Sequence, residues 1–113
     1  MKTFTINAFG EKTQVFCTRG KYANGTLGIE VFEITPDCDY PEPYGTLTVN
    51  LNDPAQSATR AFVKTCSENE GWAKELLGLM GAVPTGITLR SGLAAYPLYD
   101  FSKAVMEKYD NPR

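Results

Sequence analysis

In the first half of the chain, apolar residues recur at every second position, and turn residues break that alternation at short intervals. Phe4, Ile6 and Ala8 alternate with Thr3, Thr5 and Asn7, the pattern of a strand with one buried face. Gly10-Glu11 supplies a tight turn, and a second strand runs over residues 12–22 through Val15, Phe16 and Cys17. Asn24-Gly25 follows, and both residues of such a pair accept the left-handed conformation that a type I′ hairpin turn requires. A third strand spans Thr26–Thr35, where the apolar set changes from odd positions (Leu27, Ile29, Val31) to even ones (Phe32, Ile34). That change calls for two buried faces or for a bulge near Val31-Phe32. Tyr44–Leu51 is the clearest strand, with Leu47, Val49 and Leu51 on one side and Thr46, Thr48 and Asn50 on the other. This period excludes a helical bundle and points to an antiparallel meander with one wet face.

Between the third and fourth runs lies Pro36-Asp37-Cys38-Asp39-Tyr40-Pro41-Glu42-Pro43. Its prolines lack backbone donors and its carboxylates want water, so it reads as an exposed loop, neither helix nor interior strand. Asn52–Arg60 is a polar connection, and Ala61–Thr65 is a possible fifth strand. Ser67, with Glu70 three residues later, forms a capping box, and Trp72, Leu76, Leu79 and Met80 make one apolar helical stripe. Gly81 fits the left-handed position beyond the helix, and Pro84 keeps it from resuming. Thr85–Arg90 is another possible strand, and Phe101, Val105 and Tyr109 fall four apart in a C-terminal helix that Asp100 or Ser102 could cap. The expected fold is α+β, an antiparallel β-meander sheet of four to six strands with two helices packed on one face. A length of 113 residues suits a single domain over 1–113.

Several function classes are disfavoured. No run of 18 or more apolar residues exists, so no helix of membrane-spanning length is expected. Met1 to Asn7 alternates and lacks the continuous apolar segment of a signal peptide, so a cytoplasmic location is expected. Cys17, Cys38 and Cys66 are odd in number and far apart, which suits reduced thiols better than a disulfide framework or a zinc site. Cys17 reads as a small core hydrophobe and Cys38 as the accessible thiol. Histidine is absent, removing the usual general base and the commonest metal ligand. No nucleophile elbow, P-loop or dinucleotide fingerprint is present. The chain is therefore read as a non-enzyme without metal or cofactor. A pI near 5.1 argues against direct binding of nucleic acid.

Charge is the distinctive feature. Residues 1–21 carry a net +3, residues 22–59 a net −6 without one Lys or Arg, and residues 60–113 a net +1. The acidic middle is either a solvated sheet face with its loop, since charge also guards sheet edges, or a negative binding surface. In the second reading Glu30, Glu33, Asp37, Asp39 and Glu42, interleaved with Tyr40 and Tyr44, engage a protein partner with a basic surface, possible targets including one that normally holds nucleic acid. Tyr96-Pro97-Leu98-Tyr99-Asp100-Phe101 is expected to pin the chain before the last helix; its alternative role is an aromatic anchor for self-association.

Tyr44-Gly45-Thr46-Leu47-Thr48-Val49-Asn50-Leu51, and Ser91-Gly92-Leu93 followed by Tyr96-Pro97-Leu98-Tyr99-Asp100-Phe101, resemble a family of small uncharacterised proteins carried on conjugative transposons and related mobile elements of gut Firmicutes. The opening Met1-Lys2-Thr3-Phe4-Thr5-Ile6-Asn7-Ala8 and the Asn24-Gly25 turn extend the resemblance over most of the chain. The family has no established active site, so the resemblance implies no catalytic residue. It implies a context: accessory proteins of such elements are often small, acidic anti-restriction or anti-CRISPR inhibitors. The function expected from both lines is a non-enzymatic accessory protein that occludes a basic partner, with a self-associating module built on residues 96–101 as the alternative.

Overall fold

The computed structural model describes residues 3–36, 40–66 and 69–102. The elements in chain order are β1 (Phe4–Ala8), β2 (Glu11–Lys21), β3 (Leu27–Ile34), β4 (Glu42–Thr46), β5 (Thr48–Val49), β6 (Arg60–Val63), α1 (Ala73–Met80), β7 (Val83–Ser91) and β8 (Ala94–Asp100). They build two four-stranded antiparallel sheets, ordered β1-β2-β3-β4 and β5-β6-β8-β7. The first is the expected meander. The second corrects the expectation of one sheet with two helices. Only α1 is helical by α-pattern among the described residues, and the C-terminal helix read from Val105 and Tyr109 lies outside them.

The division falls inside the run that read as one strand, Tyr44–Leu51. Leu47 N–H donates to the Ile29 carbonyl and the Leu47 carbonyl accepts from Lys64 N–H, at 2.9 and 2.8 Å, so this residue joins the edge of sheet 1 to β6. Ile29 N–H then donates to the Thr48 hydroxyl at 2.9 Å, a side chain taking the place of a ladder carbonyl. Strand pairing therefore turns a corner at Leu47 and does not continue flat.

The core fills the space that the two sheets and α1 enclose. Ile6, Val15, Val31, Leu47, Ala61, Val63, Leu76, Leu77 and Phe101 are all at most 1% exposed. Helix α1 contributes Ala73, Leu76, Leu77 and Met80, so the buried stripe is rotated from the expected one and Leu79 is exposed. Cys17 is buried, as read, with its Sγ 4.0 Å from Met80 Sδ. The helix also begins late: its first flanking residue is Trp72, which makes no side-chain cap. The expected cap, Ser67, lies outside the described residues. Asn69 accounts for the delay, because its amide is drawn inward to two strand carbonyls and a short turn occupies 69–72. Gly81 closes α1 at φ 79°, as expected for a left-handed terminus.

The face of each sheet away from the core is wet only in part. Phe16 and Phe32 are cross-strand partners stacked at 5.5 Å on the side of sheet 1 away from the core, and both are buried. Phe62 and Leu98 pair in the same way in sheet 2 and are fully buried. The aromatic segment 96–101 is not a lead-in to a helix: it is mostly strand β8, lying between β6 and β7. The β6–β8 ladder stops at Phe62 opposite Leu98, and the next residue, Pro97, has no N–H with which to extend it.

Candidate functional site

The β1–β2 turn and the β3–β4 connection lie at the same end of sheet 1, because successive antiparallel strands reverse direction. Most of the residues that sequence reasoning selected gather there. Along β3, pairing with β2 is regular from Leu27 to Ile34, so the odd residues face the core and the even residues face away. The odd-to-even change of apolar positions thus reflects burial on both faces of β3. The bulge is in its partner: Val31 pairs with Gly45 and Phe32 with Pro43, leaving Tyr44 as the extra residue of β4.

A bulge re-aims the side chain it carries. Tyr44 turns its ring edge-on to Trp72, with centroids 5.2 Å apart and planes at 62°. Gly45 must be small here, since a Cβ would sit 2.9 Å from Trp72 Cζ2. Burial, and next the neighbouring Glu33 carboxylate, push the Tyr44 phenol above its ordinary value of 10.0, while a hydrogen bond to Thr13 opposes the shift. The folded state therefore holds this proton more tightly than the unfolded one. Its contribution is complete below pH 10 and is lost as pH rises through the raised value. Replacing Tyr44 by Phe should flatten the alkaline limb of melting temperature against pH above about 10; an unchanged limb would show that Tyr44 does not titrate in the fold.

Glu33 stands directly opposite Glu42 across β3 and β4. Like charges so placed repel, and neither is in an ion pair among the described residues. Tyr40, just before β4, is 80% exposed. Asp37 and Asp39 lie outside the described residues. Glu30 departs from the group. It is an odd number of residues from Glu33, pairs with Thr18 and Thr46, and faces away from the core. There it borders a shallow cavity of about 470 Å³ lined by Gly20 and Gly28, opposed across β2 and β3, with the Tyr22 ring against Gly28. Asp53 is elsewhere again, accepting from Ala55 N–H at 2.9 Å within the loop after β5. The acidic middle is therefore not one continuous face, and the expectation that Glu30 joins Glu33 and Glu42 is corrected by strand alternation.

Charge from other segments takes its place. Glu75 Oε1 accepts from Asn7 N–H at 2.7 Å and Oε2 from the Asn7 side-chain amide at 3.4 Å, which fastens α1 to β1. Glu70 precedes Gly71, and a Cβ on Gly71 would lie 2.7 Å from the Phe9 ring; Glu11 follows the Phe9-Gly10 turn. Glu11, paired with Ala8, and Glu75, bonded to Asn7, thus sit at the β1–β2 turn, with Glu70 next to the Gly71 that meets Phe9 and Lys12 and Lys74 adjacent in the chain. Segment-by-segment charge counting missed these three because they come from distant parts of the chain.

Among the described residues no group of three or more His, Cys, Asp or Glu is placed to hold a metal ion, and no helix is long and apolar enough to cross a membrane. No curated protein and no solved structure matches the chain. A family model described as Domain of unknown function (DUF4313) matches residues 11–113, and the chain belongs to that family.

Proposed function

We propose that this chain is a non-enzymatic accessory protein of a mobile element that binds a basic protein partner through the acidic end of sheet 1. The partner is a nucleic-acid-binding nuclease of a defence system, and the mechanism is occlusion of the groove that holds its nucleic acid. The observation that carries this reading is the Glu33–Glu42 pair: two carboxylates directly opposed on adjacent strands, a repulsive arrangement that a cationic partner relieves. Tyr40 adds an exposed, amphipathic ring beside them, of the kind enriched where protein surfaces meet. With no histidine in the chain, the commonest general base is missing, which supports binding over catalysis.

The alternative, self-association through residues 96–101, is weakened because Leu98 and Phe101 are fully buried. Titration calorimetry against purified CRISPR and restriction nucleases tests the proposal. Association should weaken at least about tenfold between ~50 and ~300 mM NaCl, as rim charges become screened, and a nucleic-acid duplex should compete. Salt-independent binding, or binding that the duplex leaves intact, would overturn occlusion of a basic groove.

A further inference from the structure

We propose that Phe9 is the apolar anchor of this interface, inserting into an apolar pocket on a partner whose surrounding surface is basic. The inference rests on the reading of the acidic end as a binding surface and adds the residue that gives it grip. Phe9 and Gly10 form the two-residue turn between β1 and β2, closed by Ala8 opposite Glu11. Both have positive φ, 53° and 84°, as a type I′ turn demands.

Phenylalanine is a poor choice for the first of these positions. Asn, Asp and Gly adopt a left-handed backbone readily, whereas a bulky side chain there is a true outlier. The one other described non-glycine residue with positive φ is Asn52, at 54°, so the favourable residue type is within the chain's repertoire. The strained residue is not rewarded by burial either, because Phe9 is 75% exposed.

What the ring does have is a seat. It lies against Gly71, where a Cβ would approach its Cε1 to 2.7 Å and its Cζ to 2.9 Å. Glu75 holds the neighbouring Asn7 to α1 through two hydrogen bonds. The turn is thus fixed to the helix and the aromatic face is presented outward; Glu11 follows the turn in the chain and Glu70 precedes Gly71, with Lys12 and Lys74 adjoining. Strain retained at an exposed aromatic residue is expected where function uses it. A rigid aromatic knob with a charged rim is also the arrangement of a binding hot spot. The opposed Glu33 and Glu42 of the proposed acidic surface set the partner as basic around the pocket, and the exposed ring sets it as apolar within.

Phe9→Asn tests this in two measurements. The variant should melt higher than the wild type by about 4 °C, since Asn-Gly suits the turn better. In amide NMR titrations, a peptide of two leucines flanked by paired arginines should shift Phe9, Gly10 and Gly71 in the wild type. The variant should lose those shifts. A hexa-arginine peptide should move Glu33 and Glu42 equally in both proteins. A melting temperature that falls or stays level in the variant would make Phe9 a structural residue and overturn the proposal, as would leucine-peptide shifts that do not depend on residue 9. Failure of both peptides to move Glu33 and Glu42, with the Phe9 shifts intact, would instead defeat the acidic reading and leave the anchor standing.

Discussion

Replacing Asn69 by alanine should cost about 3 kcal/mol of stability, the sum of two buried acceptors left unpaired and a small cavity. The side chain is 1% exposed. Its amide donates to the Thr46 carbonyl at 2.9 Å and to the Lys64 carbonyl at 3.0 Å. Those two carbonyls flank Leu47, where pairing passes from sheet 1 to sheet 2, so one side chain ties the end of β4 to the end of β6. Its Oδ1 accepts no hydrogen bond, an imbalance that already subtracts from its contribution. Aspartate at this position should be worse than alanine, because it brings a carboxylate toward two carbonyl oxygens and supplies no donor in its ionised form. Chemical denaturation of the two variants checks the ranking. A loss under about 1 kcal/mol for Asn69→Ala would show that the corner is held by the Leu47 backbone alone.

Charge reversal at the opposed carboxylates should have the largest effect on binding. Glu33→Lys and Glu42→Lys together should weaken association with the basic partner about 100-fold, as expected when close charge pairs become repulsive. Their effect on the fold should follow a different pattern. Either single reversal converts a like-charge cross-strand pair into an opposite-charge pair and should raise the melting temperature by about 2 °C. The double reversal restores repulsion and should return it to the starting value. That non-additive pattern separates a role in recognition from general damage. Glu30→Lys serves as the comparison. It faces the other side of β3, beside the Gly20–Gly28 cavity, and should change affinity far less.

The first sheet was legible in the sequence because its information is local. Alternating residues in β1 specify strand and face within a few positions, and Gly25 marks the next hairpin. Only Gly25 and not Asn24 is left-handed there, with Gly25 N–H donating to the Tyr22 carbonyl in place of the expected type I′ pair. The Leu47 corner was not legible, since nothing in Tyr44–Leu51 signals that Leu47 must bond Ile29 on one side and Lys64 on the other. The start of α1 was misplaced for a related reason: a local capping pattern at Ser67 and Glu70 was outweighed by long-range hydrogen bonds from Asn69. Strand β8 was hidden by Pro97, which usually disqualifies a central strand and is accommodated here where the β6 ladder ends.

At the candidate site, composition led to Glu33, Tyr40, Glu42 and Tyr44 but grouped Glu30 with them, because a count of charge along the chain ignores which face each residue takes. The sequence placed the first turn at Gly10-Glu11, one residue later than the Phe9-Gly10 turn that forms, so Phe9 did not stand out. Only its backbone angle and its exposure set it apart.

Hydrogen–deuterium exchange of the chain with and without a bound basic nuclease tests the central claim most directly. The account predicts slowed exchange at residues 9–12, 40–46 and 70–75, the segments that converge on one end of sheet 1. Protection confined to the β7–β8 hairpin, residues 83–100, with that end unchanged, would contradict it.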